Sequence, residues 1–116
     1  MTLTPAALAA TLDATNLRLD ATADDIRTLC LEALQQAYAC VMIYPTSVAL
    51  AARVLSGSDV RIGTVVGFPS GRMSTPAKAA EIACAAKSGA HEVDIVMHYA
   101  ALRDGTPSDA ATELHT

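Results

Sequence analysis

The sequence predicts an α/β fold in which the strands of a parallel sheet alternate with helices. Three observations carry the prediction. Short apolar or β-branched runs recur between longer segments with helical spacing of apolar residues. Cap-forming residues stand at the starts of the helical segments, and turn formers follow them. The resulting order, strand, helix, strand, helix, strand, helix, strand, is that of parallel strands joined by right-handed crossovers.

Thr4-Pro5 opens a short helix over Ala6 to Ala10, with proline where a missing N–H costs nothing. Leu12 to Thr15 is a brief strand. Thr22-Ala23-Asp24-Asp25 then resembles a capping box, with Asp in place of Glu or Gln, and adds acid at the positive end of the helix dipole. Ile26, Leu29, Cys30, Ala33, Leu34 and Ala37 recur behind it as an apolar stripe. Ala39 to Tyr44 is a continuous apolar run closed by Pro45, read as a strand buried on both faces. Thr46 or Ser47 caps a helix through Leu55, and Ser56-Gly57-Ser58-Asp59 makes a turn. Val60 to Gly67 is a third strand, broken by Gly67-Phe68-Pro69-Ser70-Gly71. Thr75-Pro76 caps a fourth helix running through Lys87 to Gly89. A fourth strand follows, then one helical turn at Ala100 to Arg103. Residues 1–105 form the folded unit, and 106–116 read as a loop and a frayed tail.

Composition narrows the function classes. Hydrophobic residues are 52% and charged residues 17% of the 116, which is a globular core and not a disordered chain. With one Phe, three Tyr and no Trp, that core is fine-grained and alanine-rich. A net charge of −4 and a pI near 5.1 argue against a nucleic-acid or anionic-membrane binder. No apolar run reaches the roughly 20 residues of a membrane span, and the N-terminus lacks the basic flank of a signal peptide. Cys30, Cys40 and Cys84 are odd in number and form no Cys-x-x-Cys pair, the usage of buried thiols in a reducing cytoplasm.

The candidate chemistry centres on Gly89-Ala90-His91-Glu92-Val93-Asp94-Ile95-Val96-Met97. Glu92 and Asp94 are two apart, so in a strand they share one face, with Val93, Ile95 and Met97 on the other. Carboxylates in an apolar strand are costly unless paired, hydrogen-bonded or used. A four-strand parallel unit of this kind completes either as an open sheet with helices on both faces or as half of a (β/α)8 barrel, and periodicity alone does not separate the two.

Four stretches, Leu12-Asp13-Ala14-Thr15-Asn16-Leu17, Ile43-Tyr44-Pro45, Thr64 to Gly71 and Gly89 to Asp94, closely resemble in order and spacing the N-terminal half of the deoxyribose-phosphate aldolases, class I aldolases on a TIM (β/α)8 barrel. The resemblance implies an α/β fold that is about half of such a barrel. It implies the reversible cleavage of 2-deoxyribose 5-phosphate to glyceraldehyde 3-phosphate and acetaldehyde through a lysine Schiff base, without cofactor or metal. Asp94 matches the family's proton-relay aspartate, Asp13 a first-strand carboxylate that helps order the lysines, and Thr15 a polar group of the substrate pocket. The implied partners are a small phosphorylated sugar or aldehyde, and a second copy or a complementary half-barrel to cover the open edges.

The chain departs from the family in its lysines. The catalytic pair belongs to later strands, and the only lysines here, Lys78 and Lys87, fall on the fourth helix, where both read as solvated. Met42 stands where many relatives carry Cys. Glu92 reads as a structural partner at the strand entrance. His91, His98 and His115 show no metal-ligand spacing and read as surface or strand-end residues. Gly67 and Gly71 lack the Gly-Lys-Ser/Thr sequel of a nucleotide loop.

Overall fold

The computed structural model describes residues 2–105 and 107–115. Ten regular elements follow in order: α1 (Pro5–Ala9), β1 (Asp13–Asn16), α2 (Ala23–Gln36), β2 (Cys40–Ile43), α3 (Val48–Val54), β3 (Arg61–Val66), α4 (Thr75–Ser88), β4 (Glu92–Ile95), α5 (Tyr99–Arg103) and α6 (Pro107–His115). A 3-10 turn at Pro45–Ser47 leads into α3. The strands form one parallel sheet in the order β1-β2-β3-β4. Helix α2 packs on β1 and β2, α3 on β3 and on α2, and α4 on β3, β4 and α3. The three crossover helices therefore share one side of the sheet, the arrangement of a barrel segment and not of an open sheet covered on both faces.

The ends of the elements follow from local chemistry. The Thr22 hydroxyl accepts from the Asp25 amide while the Asp25 carboxylate accepts from the Thr22 amide, so the capping box forms despite its shorter acid. The Thr22 amide, followed by the Thr22 hydroxyl, holds the Asp25 carboxyl below its usual range. Ser74, one residue before the expected Thr75, caps α4 by accepting from Ala77 N–H. Helix α2 ends on Ala37 in the left-handed region, at φ 55°, where glycine is the usual residue.

The helix-facing side chains of the sheet make the core. Val41, Ile43 and Ile62 pack with Ile26, Cys30, Ala33, Val48, Ala51 and Leu55. All four residues of β2 are buried, as its unbroken apolar run predicts. Thr64, fully buried, donates its hydroxyl to the Ile43 carbonyl at 2.7 Å, which ties β3 to β2 beyond the backbone ladder.

The tail differs from expectation. Residues 107–115 are helix α6, packed on α5, and not a frayed segment. Ala110 is buried, and Glu113 reaches Lys78 of α4. Ala110 and the Glu113 carboxylate are the inward groups of α6, which leaves little apolar pattern to read. Thr106 and Thr116 lie outside the described residues.

Candidate active site

Side chains alternate along each strand, and the parallel register aligns faces from strand to strand. The pairs Thr15–Met42, Met42–Gly63 and Gly63–Glu92 set one level of the face opposite the helices. Asp13 and Cys40 lie one step below, and Val65 and Asp94 one step above. Asp13, Thr15, Glu92 and Asp94 therefore all stand on the concave face, away from the helix layer.

In a flat sheet the first and fourth strands would lie about 14 Å apart. Here an Asp13 oxygen, the Cys40 sulfur and a Glu92 oxygen all lie within 4.8 Å of one another. The reach of the Glu92 and Asp13 side chains and the curl of a barrel segment together close that gap, and Gly63 leaves the space in which the Glu92 side chain crosses. Glu92 also pairs with Arg61 at 3.3 Å, in keeping with a structural partner at the strand entrance.

Of the three residues expected to share a pocket, the structure places all on one face but on opposite edges. Asp13 and Thr15 are exposed on β1, and Asp94 is exposed on β4. The Thr15 hydroxyl donates to the Asp13 carbonyl at 3.0 Å. Among the described residues no hydrogen bond or ion pair joins Asp94 to either of them; Asp13 converges with Glu92 and Cys40 instead. Among the described residues, those three have ligand-type atoms close enough for one cation. Burial, followed by the Glu92 carboxylate, pushes the Cys40 thiol up to about 12, so the sulfur is a protonated neighbour and not a ready thiolate ligand.

Above the strands, the exits of β3 and β4 are held by α4. The Glu81 carboxylate accepts from Gly67 N–H at 3.2 Å, and the Lys78 ammonium donates to the Val96 carbonyl at 2.8 Å. The expectation that Lys78 is solvated is thus corrected: its side chain is 3% exposed and ion-paired with Glu113. Lys87 is exposed as expected. The signal for Lys78 lay in the spacing of Lys78, Glu81, Ile82 and Ala85, one helical face that ends in a buried alanine. His91 is also more than a surface group, since its Nδ1 accepts from Ile62 N–H at 2.9 Å. At the mouth, Phe68 meets Tyr44 edge-on at 5.8 Å.

Known proteins share this fold. The model of the DeoC/LacD family aldolases matches residues 7–115. A deoxyribose-phosphate aldolase of Methanothermobacter thermautotrophicus is 46% identical over 98 residues, 84% of this chain and 44% of the relative. That of Alkaliphilus oremlandii is 39% identical over 103 residues, 89% of this chain and 46% of the relative. Among solved structures, a candidate deoxyribose-phosphate aldolase from Coccidioides immitis superposes with a TM-score of 0.91 at 34% identity, covering 95% of this chain and 44% of that one. The tetrameric deoxyribose phosphate aldolase of Aeropyrum pernix superposes with a TM-score of 0.78 at 28% identity, covering 95% and 50%. The chain spans about half the length of the relatives it matches, and its sheet is correspondingly half of a (β/α)8 barrel. With the strand order, the one-sided helix layer and a match along nearly all of its length, the chain belongs to the DeoC/LacD family of aldolases.

Proposed function

We propose that this chain supplies the proton-relay half of a deoxyribose-phosphate aldolase, acting on 2-deoxyribose 5-phosphate. The observation that supports the reading most is the placement of Asp13, Thr15 and Asp94 on the concave face of a family-matched half-barrel. In the cleavage direction, a lysine from a later strand forms an iminium with C1 of the open-chain 2-deoxyribose 5-phosphate, with loss of water; as the C2–C3 bond breaks, its electrons pass to the iminium, giving an enamine and glyceraldehyde 3-phosphate. Asp94, exposed on β4, takes and returns the proton through a bound water. Asp13 orders the amine side of the site and Thr15 lines the substrate pocket. No cofactor or metal enters these steps.

The positions of the lysines favour a second reading for the chain on its own, a half-barrel without turnover. Lys78 is buried against α6 and Lys87 is exposed on α4, so neither offers an amine to the concave face. Borohydride reduction in acetaldehyde should accordingly leave no saturable adduct on the chain alone. Mixed with the second half of the Methanothermobacter relative, it should cleave 2-deoxyribose 5-phosphate, and Asp94→Asn should lower that rate by about 100-fold or more. Turnover unaffected by Asp94→Asn would defeat the assignment.

The open edges of β1 and β4 call for a partner. A complementary half-barrel or a second copy, pairing each β4 with the other's β1, would satisfy both edges, and sedimentation velocity at low micromolar concentration distinguishes these from a monomer. No described helix is long and apolar enough to cross a membrane, and three unpaired cysteines fit a cytoplasmic setting.

A further inference from the structure

Lys78 and Glu81 are three apart on α4, so they project from one face, and each holds the exit of a different strand. Glu81 takes the free amide of Gly67 just beyond β3, and Lys78 takes the free carbonyl of Val96 just beyond β4. Each charge meets the backbone group of opposite polarity, which makes both bonds charge-assisted. The exits are also packed on one another. The Val96 amide donates to the Val66 carbonyl at 2.9 Å, and a side chain at Gly71, whose φ is +71°, would overlap the Met97 carbonyl. Val96 lies two residues beyond Asp94.

We infer that Lys78 is a positioning residue: it fixes the β4 exit, and through it the aim of the Asp94 carboxylate, with Glu113 of α6 as its counter-ion. The functional part rests on the aldolase reading above. Its basis is that a desolvated ion pair contributes little net stability compared with an apolar pair of similar volume. What the ammonium adds is a direction, because an apolar side chain at position 78 would leave the Val96 carbonyl without its donor.

The test replaces both charges together, as Lys78→Met with Glu113→Leu, so that no buried charge is stranded. It is compared with Lys78→Arg, which keeps the cation and its counter-ion. In the isolated chain, hydrogen exchange at the Val96 amide should rise about tenfold relative to the amides of β2 in the double variant, the scale of one lost charge-assisted bond. Lys78→Arg should keep that ratio close to the wild-type value. In the reconstituted barrel, kcat should fall about tenfold in the double variant at unchanged KM, the pattern of a misaimed transition-state group. An unchanged Val96 ratio, a proportionate loss at β2, or a Lys78→Arg effect equal to that of the double variant would each overturn the inference. Faster exchange at Val96 in a chain whose wild-type reconstitution shows no turnover would support the role of Lys78 at the β4 exit and reject the aldolase reading.

Discussion

Gly63 is the position at which the concave face is least able to accept an atom. A methyl placed there would sit 2.5 Å from the Met42 ε-carbon, 3.1 Å from the Cys40 sulfur and 3.3 Å from the Glu92 γ-carbon. Relaxed carbon contacts are about 3.5–4.0 Å, so the end of Met42 must move by roughly 1 Å and its two neighbours by a few tenths. Overpacking of this kind costs about 1–3 kcal/mol. The lower entropy of unfolded alanine returns about 0.4–1 kcal/mol, and the flexible thioether of Met42 softens the clash. Gly63→Ala should therefore destabilise the chain by about 1–2 kcal/mol, lowering the urea midpoint by about 1 M for a protein of this size. Urea titration followed by circular dichroism measures the shift. In a Met42→Ala background the vacated space should absorb the new methyl, giving a favourable coupling of about 1 kcal/mol. A neutral or stabilising Gly63→Ala, or strict additivity with Met42→Ala, would show that the wall is not packed as described.

Three further outcomes are expected. Ala37→Gly should stabilise by about 0.5–1 kcal/mol, because only glycine takes the left-handed C-cap without penalty; thermal unfolding checks it. Native alkylation with iodoacetamide at pH 8 should modify Cys84 alone, since Cys84 is exposed while burial raises both Cys30 and Cys40, and Cys84→Ser should abolish labelling until denaturant is added. The Lys78 hydrogen bond holds the Glu113 carboxyl below its ordinary 4.5, with His98 adding to the effect. The linked stability of α6 is then fully present above pH 4.5 and lost as pH falls through the lower, folded value. Exchange at α6 amides should show that acid loss, and Glu113→Gln should remove it.

Local chemistry made most of the sheet legible in the sequence. The Ala39–Tyr44 run, the Val60–Gly67 run and the Thr22–Asp25 cap each act over a few residues, and each appears where its chemistry predicts. Helix α6 was not legible, and the burial of Lys78 only through its helical spacing with Glu81, Ile82 and Ala85, because each is completed by the other. A lysine on a helix reads as solvated until a carboxylate thirty-five residues later (Lys78 to Glu113) is folded against it. The site shows the same divide. Period two placed Glu92 and Asp94 on one face, but that Asp13 would converge with Glu92 and not with Asp94 depends on sheet curvature and on the gap at Gly63, which no single strand encodes.

The sequential strand order also shapes how the chain reaches its fold. Paired strand residues are 27 (Asp13 to Cys40), 21 (Cys40 to Arg61) and 29 (Gly63 to Glu92) positions apart. Loop-closure entropy grows only as the logarithm of length, so the three pairings begin from nearly equal cost, and none requires distant parts of the chain to meet. Such a topology can assemble one βα unit at a time as the chain leaves the ribosome. The one encounter of high contact order left to a barrel of this family is its closure across β1, so the exposed edge at Asp13–Asn16 waits longest for its partner.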